Sequence, residues 1–294
     1  MRVAVIDADL IGRKRHRFPN LACMKISAHH KALGDAVELK TDYDSLADYD
    51  AVYISKVFTD TPMPDAVLKL DNVSYGGTGF YYDKAPCLPD AIEHQMPDYH
   101  LYDAWVQTQL ERGGKRSEYA YYTDYSIGFL TRGCFRKCAF CVNQNYDRVS
   151  THSPLSEFLD TVRPKICLLD DNFFGSPHWK ELLIELQQTG KPFQFKQGLD
   201  ERLLTDDKCA LLFSSQYDGD YIFAFDNVLR NRYPVGTRVE LVQMDDPQAP
   251  PVGTKGTVRG IDDIGSILVA WDNGSGLSVA YGADICRKVG ETDA

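Results

Sequence analysis

The sequence predicts an α/β chain in three parts: a doubly wound parallel sheet, a shorter second βα series, and a small antiparallel β-barrel. Three observations predict it. Apolar runs alternate with amphipathic stretches up to about Tyr122, the alternation resumes beyond a cysteine-rich loop and stops after Asp226, and from about Val235 short β runs follow one another between glycines.

In the first part, "RVAVIDA" and "AVYISKVF" are apolar without alternation, as parallel strands buried on both faces are. Between them "NLACMKISAHHKALG" reads as a helix stopped at Gly34, which gives a βαβ opening to a Rossmann-like domain over residues 1–122. A tyrosine-rich connection, "YAYYTDY", leads into the strand "SIGFLTRGC". The second part, residues 123–232, continues with "KICLLD", "PFQFKQG" and "YIFAFD" as strands. Helices are expected near Pro154 to Val162, His178 to Gln188 and Thr205 to Phe213, so this is a partial (βα) barrel. The third part, residues 233–294, offers "TRVELV", "GTKGTVRGI", "GSILVAW" and "GLSVAYG", with a tight hairpin turn at Asn273-Gly274.

Composition narrows the function. At 294 residues and 44% hydrophobic the chain can bury a sizeable core. A formal net charge of −10 argues against a general nucleic-acid coat and favours small molecules or protein partners. No apolar run approaches the roughly 20 residues needed to cross a bilayer. Asp7 interrupts the first apolar run too early for a signal peptide, so the expected location is the cytoplasm, with reduced thiols.

Of the eight cysteines, Cys23, Cys87, Cys167, Cys209 and Cys286 lie singly, and Cys167 and Cys209 sit in apolar stretches as small core residues. Only Cys134, Cys138 and Cys141, in "GFLTRGCFRKCAFCVNQ", have ligand spacing. Three thiolates without a fourth suit a cubane iron–sulfur cluster that leaves one iron open to a cofactor or substrate. The alternative is a zinc site, normally closed with four ligands, for which the nearby His152 can supply the fourth.

CxxxCxxC after a strand, with Phe140 just before the last cysteine, resembles the signature of the radical S-adenosylmethionine (radical SAM) superfamily. The resemblance implies a [4Fe-4S] cluster on Cys134, Cys138 and Cys141. It also implies S-adenosylmethionine (SAM) chelated to the open iron and cleaved to a 5′-deoxyadenosyl radical, and an electron donor such as flavodoxin or ferredoxin. "LLDDNFFG" resembles the family's second barrel strand, which makes Asp170, Asp171 and Asn172 candidates for the SAM amino group, or a strand-end cap in the plain reading. "FKQGLDERLL" resembles the third strand and its loop, where Gln197, Asp200 and Arg202 would contact SAM or substrate; an Asp200 to Arg202 surface pair fits the residues as well. "IFAFDNV" resembles the fourth and places Asp226 at the top of the sheet. The sequence offers four strands where that family's barrel has six, and it assigns no catalytic residue.

The first part also resembles the cobalamin-binding domain fused to many radical SAM enzymes, through "DADLIG" at Asp7 to Gly12, "SKV" at Ser55 to Val57 and Gly76-Gly77. The histidine of that pattern is Asp9 here, a poor ligand for cobalt, so the expectation is weak or no cobalamin binding. His16, in the basic run Arg13 to Arg17, reads as part of a solvated loop. The tail from Val235 to Cys286 resembles a small domain of unknown function, and its "GTKGTV" rhythm resembles small barrels that touch RNA or protein, the one place where nucleic acid is expected. The leading expectation is radical group transfer, methyl or methylthio, on an unidentified substrate. The competing one is a truncated protein that binds a cluster or partner without turning SAM over.

Overall fold

A computed structural model describes residues 1–14, 16–138, 141–224, 232–261, 266–280 and 284–290. The chain divides into two compact units, Met1–Ile222 and Phe223–Ala294. The boundary expected near residue 122 falls inside the first of these.

Strand β1 (Arg2–Asp7) is buried along all but its first residue and lies between β2 (Ala36–Lys40) and β3 (Ala51–Ser55); β4 (Val73–Gly76) completes a parallel sheet of order β2-β1-β3-β4. Its apolar run is therefore covered on both faces. Asp7 caps the short helix α1 (Ala8–Gly12) by accepting the Asp9 and Leu10 N–H groups. Asn20 caps α2 (Leu21–Ala32), which ends with His29, His30 and Lys31 in its last turn and Gly34 at φ +85°. Four further short helices follow: α3 (Thr78–Tyr81), α4 (Asp90–Glu93), α5 (Asp103–Glu111) and α6 (Ala120–Thr123).

Next come β5 (Tyr125–Gly128), the antiparallel pair β6 (Thr131–Arg132) and β7 (Ser150–Thr151), β8 (Lys165–Leu168), α7 (Trp179–Gln188), β9 (Phe193–Phe195), β10 (Leu199–Asp200) and α8 (Asp206–Phe213). β5, β8 and β9 form a second parallel sheet in that order. The two halves of the unit share packing: Phe18 and Leu21 lie against Tyr125, Ile127, Cys167 and Leu169. The Tyr99 hydroxyl accepts from Ile127 N–H at 2.8 Å and donates to the Phe158 carbonyl at 2.6 Å.

The helix expected near Pro154 to Val162 is a single 3₁₀ turn, Leu155–Glu157. Tertiary packing ends it: the Phe158 ring fills the space over Gly128, where a Cβ would lie 2.3 Å from it. Cys167 is buried as expected, whereas Cys209 on α8 is only half-buried.

The second unit begins with β11 (Phe223–Ala224) and contains β12 (Arg238–Gln243), β13 (Lys255–Ile261), β14 (Ile267–Trp271) and β15 (Ile285–Lys288), an antiparallel sheet of order β14-β13-β12-β15. Its core gathers Val239, Leu241, Val258, Val269 and Trp271. The turn at Asn273-Gly274 is present, with Gly274 at φ +85°. The strand expected at "GLSVAYG" reduces to one bridge, Ile267 to Val279, because this segment instead turns its Leu277 carbonyl to the Trp271 indole at 2.8 Å; residues 281–283 lie outside the described residues. The fourth strand is β15. Pairing between the end strands β14 and β15, which a closed barrel requires, is not seen among the described residues.

Candidate functional site

In a parallel sheet the loops after successive strands meet at one edge, the usual place for ligands. Here β5 runs on into the cysteine loop, β8 into Leu169–Asn172, and β9 through the turn at Gln197 into β10. Three adjacent residues of the loop after β8, Asp170, Asp171 and Asn172, each hold a different part of the cysteine loop.

Asp170, 1% exposed, holds its base. Its carboxyl accepts Leu130 N–H at 3.2 Å and both the N–H and hydroxyl of Thr131 at 2.6 Å. Burial outweighs these bonds and pushes its pKa up to about 7, with the Asp171 charge adding to the rise. Asp171 closes the loop, accepting Gly133 N–H at 2.9 Å before Cys134 and Asn143 Nδ2 at 2.8 Å after Cys141. Asn172, 3% exposed, reaches sulfur: its Nδ2 donates to Cys134 Sγ at 3.3 Å, and its buried Oδ1 has no partner.

The loop is fastened further from within. Backbone N–H groups of Arg136 and Asn143 approach Cys134 Sγ and Cys141 Sγ at 3.4 Å each. Gln144 Nε2 donates to the carbonyls of Cys138 and Cys141, and Lys137 Nζ to those of Gln144 at 2.7 Å and Tyr146 at 2.6 Å. Gly133 sits at φ +94°, and a Cβ there would lie 2.5 Å from the Arg148 carbonyl, so the turn into Cys134 requires glycine. From β10, buried Asp200 accepts Arg136 Nε at 2.8 Å, Arg202 Nε at 2.6 Å and Arg202 Nη2 at 3.1 Å. Burial opposes its ionisation, but the bonds from Arg202 and Arg136 and their charges together hold it below the usual carboxylate range. The Asp200 to Arg202 pair is thus real, and it is buried at the carboxylate end, tied to the cysteine loop.

Cys134, Cys138 and Cys141 are thiols of intermediate exposure. Burial raises the Cys141 pKa, Asn143 N–H opposes this, and Cys138, Cys134 and Asp171 add to the rise. Among the described residues no group of three or more His, Cys, Asp or Glu is arranged to hold a metal ion. The donor chemistry nevertheless fits a thiolate-ligated group: three thiols on one fastened loop, N–H donors aimed at sulfur, and an unpartnered buried oxygen beside them.

Of the other residues expected here, Gln197 is in the exposed turn after β9, while Phe140 and Asp226 lie outside the described residues. His152 stands elsewhere: it stacks on His94 at 5.6 Å, contacts Ser153 Oγ at 3.0 Å and lies 3.5 Å from Glu93, and none of these partners is a cysteine. Burial, with Arg132 next, pushes its pKa down to about 4.

At the edge of the first sheet, Asp9 is fully buried and accepts Val57 N–H at 2.7 Å, Phe58 N–H at 3.4 Å and the Thr61 hydroxyl. It is a strut between α1 and the loop after β3. Ser55 is buried at the end of β3, Gly76 has open space around it, and at Gly77 (φ +106°) a Cβ would lie 2.3 Å from the Lys56 carbonyl. In the basic run, Arg13 pairs with Asp60 at 2.6 Å and His16 meets the Phe58 ring edge-on; Arg15 lies outside the described residues.

The sequence reading missed the loop-fastening roles of Asp171, Asn143 and Gln144. The available signal was the amide pair directly after Cys141, since amides placed there can bond to loop carbonyls.

No helix among the described residues is long and apolar enough to cross a membrane. A family model described as a domain of unknown function (DUF4314) matches residues 226–289. No curated protein matches the chain. Among solved structures, the cobalamin-dependent S-adenosylmethionine radical enzyme OxsB, with aqua-cobalamin and S-adenosylmethionine bound and with aqua-cobalamin alone, is similar at TM-score 0.38 and 14% identity, over 66% of this chain and 38% of that one. This chain therefore spans well under half of that enzyme, and a likeness of this degree assigns neither its family nor its activity.

Proposed function

We propose that the chain is a radical SAM iron–sulfur protein in which Cys134, Cys138 and Cys141 would hold a [4Fe-4S] cluster. The observation that carries this reading is the cysteine loop itself, three thiols at the carboxyl edge of a parallel sheet with N–H donors at sulfur and both loop ends on Asp171. When bound, the cluster and SAM supply the reductive cleavage that starts radical group transfer, with methyl or methylthio transfer as the chemistry expected from the motif. The protein's part is to place and shield them. Asn172 Oδ1, buried and without another partner, is the acceptor we assign to the SAM ammonium group. Asp170 and Asp200 hold the loop, and Gln197, Phe140 and Asp226 are assigned to the SAM side from the sequence alone. Asp9 is engaged by three donors, which favours a mechanism with SAM and without cobalamin.

A second reading, a protein that binds a cluster or a partner without turnover, is favoured by one observation: among the described residues the second parallel sheet has three strands. An open cavity admits water to a reactive intermediate. Anaerobic, iron-loaded protein given dithionite and SAM separates the two. The first reading predicts 5′-deoxyadenosine from the wild type and none from Cys134→Ala; a loaded wild type that forms none establishes the second.

A further inference from the structure

We infer that Asn172 is a positioning residue that sets the reduction potential of the metal group held by the three thiols, through the bond from its Nδ2 to Cys134 Sγ. The inference rests on the reading above and extends it. An N–H···S bond stabilises negative charge on sulfur, and a reduced cluster carries more of that charge, so such bonds raise the potential. Arg136 and Asn143 approach sulfur with backbone N–H groups, which substitution leaves in place; Asn172 does so with a side chain.

The amide is held in that pose. Its residue is buried, the Asn172 backbone carbonyl accepts Gly175 N–H at 2.9 Å, and the fully buried Phe173 follows it. At Gly175 an added Cβ would lie 3.6 Å from Asn172 Cγ and 2.9 Å from the Phe135 ring, so the space beside the amide has no room for a larger residue there. Its orientation presents the donor, not the oxygen, to sulfur, which suits a thiolate ligand.

The test uses the full chain reconstituted anaerobically with iron and sulfide, as wild type, Asn172→Leu and Asn172→Asp. Leu keeps the volume and removes the donor; Asp keeps the shape and replaces the donor by an acceptor with a negative charge. Iron and sulfide per chain are counted, and midpoint potentials are read by EPR-monitored titration. Wild-type iron content with a more negative potential in both variants, Asp beyond Leu, is the expected result. Full loading with unmoved potentials in both overturns the inference alone. A wild type that takes up no iron overturns the reading above and this inference with it. Should Asn172→Leu fail to fold by circular dichroism, Asn172→Ser, which removes the amide without adding a charge, decides by the same criterion.

Discussion

Replacing Asp170 by Asn perturbs the fastening of the cysteine loop at its base, and the structure sets the size of the effect. The amide keeps an oxygen for Thr131 and gives up the acceptor for Leu130 N–H. Leaving that buried donor unpaired costs roughly 1–3 kcal/mol. The carboxyl it replaces has a pKa of about 7 in the folded chain against an ordinary value of 3.8, so folding takes up a proton between those values. The stability this provides is complete below the unfolded value and is lost as pH rises through the folded one; from about pH 5 to about pH 8 the loss is on the order of 2.5 kcal/mol. Asn does not titrate. The variant should therefore be less stable than wild type at about pH 5 and close to parity at about pH 8, a change of roughly 5–10 °C in relative Tm for a unit of this size. Denaturant and thermal melts of both proteins at a series of pH values measure it. Asp7, whose pKa burial also raises to about 7, gives both proteins a common slope that cancels in the comparison. Parallel curves across the whole range would refute the argument, since Asp170 would then not be the titrating group.

Other substitutions probe neighbouring contacts. Gly133→Ala places a Cβ 2.5 Å from the Arg148 carbonyl in a left-handed residue, so it should lower stability by about 1–2 kcal/mol or more and reduce bound iron, as melts and metal analysis would show. Asp200→Asn should cost roughly 1–3 kcal/mol, given that both arginines are partly exposed. It should also abolish an acid-side loss of stability, because a carboxyl with a depressed pKa stabilises above its unfolded value and loses that contribution as pH falls through the folded one. Asp9→His, which restores a cobalt ligand on paper, should destabilise the chain by several kcal/mol and leave hydroxocobalamin unbound in a visible-spectrum titration, because one imidazole cannot accept the three bonds that Asp9 takes.

The parts of the fold set by local pattern were legible. β1, β3, α2, α7 and α8 lie where apolar runs, caps and stop residues put them, because burial on both faces or along one stripe leaves a periodic record in the sequence. The misses come from side-chain contacts. The stretch after Pro154 has helical composition, yet Phe158 is drawn onto Gly128; the "GLSVAYG" run has strand composition, yet it serves the Trp271 indole. The first pair is far apart in sequence; the second spans only six residues and closes a local turn where a strand was expected. The spacing of the cysteines is written in the sequence, but which of Asp170, Asp171 and Asn172 anchors the loop, which closes it and which touches sulfur depends on distances across strands that no spacing encodes.

Whether Cys134, Cys138 and Cys141 together hold an iron–sulfur cluster, as proposed, is decided by metal analysis of anaerobically reconstituted protein. Wild type should be brown and carry about four irons and four sulfides per chain, as a cubane cluster requires. Alanine at any one of the three positions should bleach it, while His152→Ala should leave it unchanged. Zinc in place of iron, or iron retained when all three cysteines are replaced, would contradict the account.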